Sequence, residues 1–432
     1  MARMNRRLDI HGFDRQYVTM EKRVREAPIS DRNRELIFGY RDACILHQTC
    51  EKVRLMKIMG ELLFEAHQLS KDFDQLTRQD IEHYVASLLQ RQPPYTWETL
   101  TTKKIILKQF MTWVYHPEGF PDFSEPVPQI SWLKTHSARK EERKLERGDL
   151  LTPQDIEKLL NICHNPRDQA LIAILWETGG RISEIGNLQL KHVTKAQHGY
   201  TLDVNGKTGR RTPLILTAAP YLGAWLALHP QKENPEAPLW PIYQYKAVSK
   251  QICYSTIRNL LQRHFKHAGI QKPYNPHIFR HSRATYTLAN GIFTEQQAKS
   301  YYGWTPDSEM LSTYSHLVSQ DANDALLKAN GMTVAQQRQD ELKPVECHIC
   351  NQLNAPKAEY CTKCGAVLDL KKAYEHQKVH DLKEELFVNL FKILVEKGLV
   401  DEAAKEVHDA DLGMTLKRLA QHINQEKHIA EP

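Results

Sequence analysis

The apolar run Leu171-Ile-Ala-Ile-Leu-Trp176 stops at Gly179-Gly180, and Arg181 follows at once. An apolar run with no polar stripe belongs to a helix buried on all sides. A glycine pair at its end suits a C-terminal cap with positive φ. Arg181 is thereby set at a fixed point on the edge of a core, ahead of a second amphipathic run through Glu184 to Leu188. Glu184, one turn on, either orients the guanidinium or is an ordinary exposed helix carboxylate. Next, Tyr200 to Leu216 reads as two β-like segments around the turn Asn205-Gly-Lys207-Thr-Gly209, a hairpin with Lys207 at its tip. Upstream, Thr152-Pro153-Gln154-Asp155 has the form of a helix start: an N-cap, Pro at the first position and an acid in the first turn. A mainly helical unit with a small hairpin is the expected result.

A second stretch runs from His277 to His316. It opens on His-x-x-Arg (His277, Arg280), passes Gly303-Trp304 and reaches Tyr314 in Thr-Tyr-Ser-His. Arg holds two phosphate oxygens at once through its planar fork of donors. His can donate to a phosphate oxygen or move a proton near neutral pH. A Tyr hydroxyl can attack phosphorus and hold it as an ester. Read alone, the stretch is equally a buried helical hairpin whose His and Tyr cap and fill.

Together the two stretches resemble the tyrosine recombinase (phage integrase, Xer-like) family. The matching residues, in order, are Arg181, Lys207, His277 with Arg280, Trp304 and Tyr314, spread over residues 150–330. Trp304 stands where most members have His, and the interval to Tyr314, which contains Pro306, is one residue longer than the family pattern. The resemblance implies a site-specific recombinase acting on double-stranded DNA through a 3′-phosphotyrosine, with Tyr314 as nucleophile. Arg181, Arg280, His277 and Trp304 would cage the phosphate, and Lys207 would be the acid for the leaving oxygen. It also implies a homotetramer on two DNA sites, with no ATP and no catalytic metal. Tyr286, Tyr301 and Tyr302 lack the Tyr-x-His context and read as core or DNA-facing aromatics, and His281 and His316 as packing residues. The competing reading is an inactive DNA-binding adaptor that keeps the fold.

Lys and Arg exceed Asp and Glu by 58 to 52, a mildly basic balance that permits nucleic acid without demanding it. The charged start MARMNRR is followed by no apolar core, as a secretory signal would require. No apolar run approaches the roughly 18 residues of a membrane helix. A cytoplasmic protein is the expectation.

Residues 1–30 are polar and suggest a flexible arm. Residues 31–117 show four runs of apolar residues at helical spacing, Asp31–His47, Thr49–Glu65, a run from Thr77 and Thr96–Val114. These resemble the family's core-binding domain, with Lys52, Arg54, Lys57, Lys103, Lys104 and Lys108 as candidate phosphate contacts or plain surface charges. Residues 118–150, Pro-rich and then charged, read as a linker that lets two halves close around DNA. Residues 151–330 form the catalytic domain.

After a polar stretch the chemistry changes. Cys347-His-Ile-Cys350 and Cys361-Thr-Lys-Cys364-Gly365 are paired C-x2-C knuckles of the spacing that binds one structural zinc. Residues 345–370 thus resemble a small zinc ribbon. Residues 371–432 form a helical tail, with an amphipathic helix over Asp381–Gly398 and a shorter one near Met414–Ile423. The sequence leaves open whether the tail packs on the ribbon or on a neighbouring subunit.

Overall fold

The computed structural model describes residues 8–122, 127–135, 146–206, 209–242, 250–305 and 342–406, with Ser308, Leu327 and Asn330. The chain divides into two compact units, Met1–Glu341 and Leu342–Pro432.

The first unit begins with α1 (Phe13–Glu26), α2 (Asp31–Leu46), α3 (Lys52–Gln68), α4 (Arg78–Gln90) and α5 (Trp97–Tyr115). Local chemistry sets their starts. Ser30 accepts from the Asn33 N–H, Thr77 and Asp80 form a reciprocal capping box, and Thr96 accepts from the Thr99 N–H. Their inward faces bury Ile37, Met59, Leu62, Phe73, Phe110 and Met111 in one core.

Helices α2 to α5 are the four expected from residues 31–117. Residues 8–26, in contrast, are not a flexible arm. Helix α1 packs on α3 although Val24 is its only fully buried residue, so its polar composition conceals it. Ahead of it, Ile10 is 2% exposed. Its N–H donates to Asn187 Oδ1 at 2.9 Å, and its carbonyl accepts the Tyr254 N–H at 2.9 Å.

The linker reading also needs correction at its centre. Val127, Ile130 and Leu133, the latter two around the short helix α6 (Pro128–Ser131), join the first core. Lys108 Nζ donates to the Ser131 and Leu133 carbonyls. Lys103 and Lys104, candidate phosphate contacts, are buried. Lys103 pairs with Glu61 and lies over the Phe64 ring, since a long apolar stem can be packed while its head finds a carboxylate. Lys52 pairs with Asp14 at the surface.

From Leu150 the chain builds a second stack. Thr152 and Asp155 cap α7 (Pro153–Ile162) with a capping box, as its sequence demanded. Helix α8 (Pro166–Thr178) is buried almost throughout, and the short α9 (Ile182–Gly186) follows. Strands β1 (Val193–Lys195) and β2 (Tyr200–Leu202) precede a separate antiparallel hairpin, β3 (Val204–Gly206) and β4 (Gly209–Arg211). Strand β5 (Leu214–Ile215) then closes a three-stranded antiparallel sheet of order β1-β2-β5. Helices α10 (Ala219–Leu228), α11 (Tyr254–His267), α12 (Pro276–Ala289) and α13 (Glu295–Tyr302) complete the described part. The buried Glu177 carboxylate of α8 accepts the backbone N–H groups of Leu216, Thr217 and Ala218. An anion at the N-terminal end of α10 is favoured by the helix dipole, and it ties sheet and helix to α8.

In the second unit, β6 (Val345–Glu346) pairs antiparallel with β7 (Leu353–Asn354). Helices α14 (Leu370–Glu396) and α15 (Val400–Glu406) follow. Helix α14 starts well before Asp381 because neither Pro nor Gly interrupts Leu370 to Glu396. The helix expected near Met414–Ile423 lies outside the described residues. The architecture is mainly α with small sheets, and among the described residues no helix is long and apolar enough to cross a membrane.

Candidate active site

Helix α8 ends as its sequence required, at Gly179 with φ 51°. A Cβ at this glycine would stand 2.8 Å from Tyr302 Cε1, so both the left-handed backbone and the close ring exclude a side chain. The Gly179 carbonyl accepts from Arg280 Nη1 at 3.0 Å, and the Tyr302 carbonyl accepts from Nη2 at 2.8 Å. Arg280 comes from α12 and is 3% exposed. The rings of Tyr302 and Trp304 lie 5.7 and 5.8 Å from its guanidinium carbon. Two carbonyls and two aromatic rings thus fix one planar cation at the end of α8.

Arg181 stands two residues past Gly179 and caps α9. Its backbone N–H donates to one oxygen of Glu184 at 3.2 Å, and Nη1 donates to the other at 2.8 Å. Glu184 also accepts from Arg211 Nη2 of β4 at 2.7 Å, while Arg211 Nη1 donates to the Tyr301 carbonyl at 2.8 Å. Burial alone would push the Glu184 carboxyl up, but Arg211 and Arg181 outweigh it and hold the group below its ordinary value. Glu184 therefore stays ionised between two guanidiniums. A Cβ at Gly206 would come within 2.3 Å of Glu184 Oε1, so the hairpin approaches this carboxylate where only glycine fits. One carboxylate joins α9, the hairpin and the end of α13.

His277, one turn before Arg280 on α12, has its side chain open to solvent. Partial desolvation first, then the charges of Arg280 and Arg181, push its imidazole below the ordinary value. It is neutral at pH 7 and able to accept a proton. Trp304 follows the left-handed Gly303 (φ 62°) and is buried.

Of the six residues singled out from sequence, Arg181, His277, Arg280 and Trp304 gather around the turn at Gly179-Gly180. Lys207 and Tyr314 lie outside the described residues; Gly206, next to Lys207, lies against Glu184. Tyr286 and Tyr302 are core residues, and Tyr301 is partly buried. Tyr302 is fully buried and shares its hydroxyl with Thr287 at 2.8 Å. Arg211 escaped the reading of the sequence. The Arg210-Arg211 pair after the turn was the one hint, and nothing local distinguishes Arg211 from Arg210, which pairs with Asp203 at the surface.

In the second unit Cys347, Cys350, Cys361 and Cys364 converge, with their sulfurs all within 4.8 Å of one another. Cys347 and Cys364 stand 3.6 Å apart, as do Cys350 and Cys361. Four sulfurs about 2.3 Å from a tetrahedral zinc would stand about 3.8 Å apart, so the cluster fits such an ion. The Asn351 N–H donates to the Cys347 carbonyl and the Gly365 N–H to the Cys361 carbonyl, two matching turns, and the Lys363 N–H faces the Cys361 sulfur. The backbone N–H of Cys350 leads in holding the Cys347 thiol below its ordinary value, which favours the thiolate a metal needs.

Comparison with known proteins bears on the first unit. Residues 149–321 match the model of the phage integrase family. Tyrosine recombinase XerA of Saccharolobus solfataricus is 24% identical over 273 residues, 60% of this chain and 81% of its own length. Tyrosine recombinase XerS of Streptococcus thermophilus is 26% identical over 296 residues, 59% and 80% of the two chains. A crystal structure of XerH site-specific recombinase bound to palindromic difH substrate, a post-cleavage complex, aligns with 76% of this chain and 100% of its own. Its TM-score is 0.49 and its identity 18%.

Proposed function

With residues 149–321 a tyrosine recombinase domain of the phage integrase family, we propose that this protein cleaves and rejoins duplex DNA at specific sites through a phosphotyrosine on Tyr314. The observation that carries the proposal is the pair of guanidiniums at the end of α8, Arg280 held by two carbonyls and Arg181 by Glu184. Fixed cations of this kind neutralise charge as it builds at a phosphorus under attack.

The Tyr314 oxygen attacks the scissile phosphorus while its proton passes to the neutral imidazole of His277. A phosphorus–oxygen bond to tyrosine forms, and the bond to the 5′-oxygen breaks. Lys207 supplies the proton that the leaving oxygen takes up. Trp304 contributes an indole N–H donor and a packed wall. The bond energy remains in the 3′-phosphotyrosine, so a 5′-hydroxyl from a second duplex can reverse the step without ATP. Exchange between two duplexes needs four such cleavages, hence four protomers on the DNA. The adaptor reading is not favoured, since the curated relatives are named tyrosine recombinases. With DNA as substrate, we propose a place in the cytoplasm.

The test is suicide-substrate trapping: nicked duplexes carrying candidate sites, read on a denaturing gel. A covalent protein–DNA band is expected. Tight binding with no band on any site would overturn the proposal in favour of the adaptor.

Arg211 acts on Arg181 through Glu184, the carboxylate both guanidiniums share. Arg211→Gln is expected to slow cleavage about 10–100-fold, the range for a reacting group displaced by an ångström or less. DNA affinity by gel shift should change by less than about twofold, because no phosphate contact is removed. A cleavage rate equal to wild type would show that Glu184 alone orients Arg181.

For the four cysteines we propose one structural zinc, bound as thiolates with no open position for chemistry. Purified protein should contain one equivalent of zinc by elemental analysis. Chelation should unfold the ribbon of the second unit, seen as a lost thermal transition, while the covalent band on nicked DNA persists. Loss of the band on chelation would assign the metal a part in cleavage.

A further inference from the structure

Helix α14 carries two apolar faces. Phe391 is buried, whereas Val379, Leu382, Leu386, Leu390 and Ile393 are 47–68% exposed. With 100° per residue, Val379, Leu382, Leu386 and Ile393 fall on one narrow stripe, at the a and d positions of a heptad, and Leu390 borders it. An aligned apolar stripe of this length on a folded helix marks a contact surface.

The charges bordering the stripe identify the occupant. Lys378, Glu385 and Lys392 line one edge, and Lys383 and Lys397 the other. In a parallel pair of these helices Lys378 would face Lys383 and Lys392 would face Lys397, a repulsion repeated by symmetry. In an antiparallel pair with Leu382 opposite Ile393 of the second copy, Glu385 faces Lys392, and the pairing occurs twice. Asn389 lies inside the seam, opposite Leu386 of the second copy, and Glu396 ends it, opposite Val379. A polar residue inside such a seam lowers stability while fixing register. We infer that α14 is a homodimerisation helix, joining two copies of this chain antiparallel through Leu382, Leu386 and Ile393. The pairing requires neither DNA nor the recombination chemistry.

The full zinc-loaded chain without DNA should show concentration-dependent dimerisation in sedimentation velocity, with a dissociation constant of order 10 µM given so short a seam. Leu386→Glu should leave a monomer throughout, with unchanged zinc content and helicity. Glu385→Lys should weaken association at least about tenfold, by placing like charges opposite. Adding Lys392→Glu to that variant should restore it. A wild-type chain monomeric up to about 100 µM would overturn the inference. If Leu386→Glu then lowered its melting temperature, the stripe would be covered by the chain's own residues. A dimer that survives Leu386→Glu, or that the double charge exchange fails to restore, would equally overturn it.

Discussion

Tyr314→Phe is expected to give no covalent protein–DNA band on any nicked substrate while binding the same duplexes with wild-type affinity. Removing the hydroxyl proposed as nucleophile should cost more than about 10⁴-fold, the scale seen when the covalent nucleophile of an enzyme is deleted. Rescue by a neighbouring tyrosine is closed off by the fold. Tyr302 is fully buried, and burial pushes its hydroxyl up; Tyr301 is partly buried, and its hydroxyl, also pushed up, donates to the Glu177 carbonyl. Tyr286 is buried against Trp176. None can present an oxygen to a duplex in solution. Denaturing electrophoresis after a long incubation is the measurement, with gel shift as the control. A residual band that maps to another tyrosine would sink the assignment of Tyr314.

Arg280→Lys is the second large effect. The substitution keeps the charge but replaces a planar fork with a point ammonium that cannot span the Gly179 and Tyr302 carbonyls and still face a phosphate. Losing one preorganised donor to a developing charge costs about 3–4 kcal/mol, or about 10²–10³ in rate. Single-turnover cleavage of a nicked site should fall by that factor. The apparent affinity should stay within about threefold, since the loss is expressed at the transition state. The melting temperature should drop as well, because a buried carbonyl left without its donor is costly. Cleavage within about threefold of wild type would remove Arg280 from the phosphate cage.

Much of this arrangement was legible in the sequence because its signals are local. The glycine cap after α8, the Thr152–Asp155 box before α7 and the glycines around the hairpin turn are dictated by backbone geometry within a few residues. The cysteine knuckles are equally local, since the two turns preform around their own sulfurs. What stayed hidden depends on partners distant in sequence. Glu184 looked like an ordinary helix carboxylate until Arg211, on another element, was found on its second oxygen. Lys103 and Lys104 read as surface charges because periodicity alone does not say which face of α5 turns inward, and Glu61 lies on a different helix. The segment before α1 reads as polar because Ile10 is its one buried apolar residue among those described, and one apolar side chain makes no pattern.

The seat of Ile10 between Asn187 and Tyr254 has a mechanical meaning. The Leu151 N–H donates to Ser282 Oγ at 2.8 Å, a bond within the stack, whereas Ile10 ties the stretch ahead of the helical layer to that stack. The tie consists of two hydrogen bonds, the buried Ile10 side chain and the His11 ring against Tyr254, so a few local contacts join the start of the chain to residues far along the sequence.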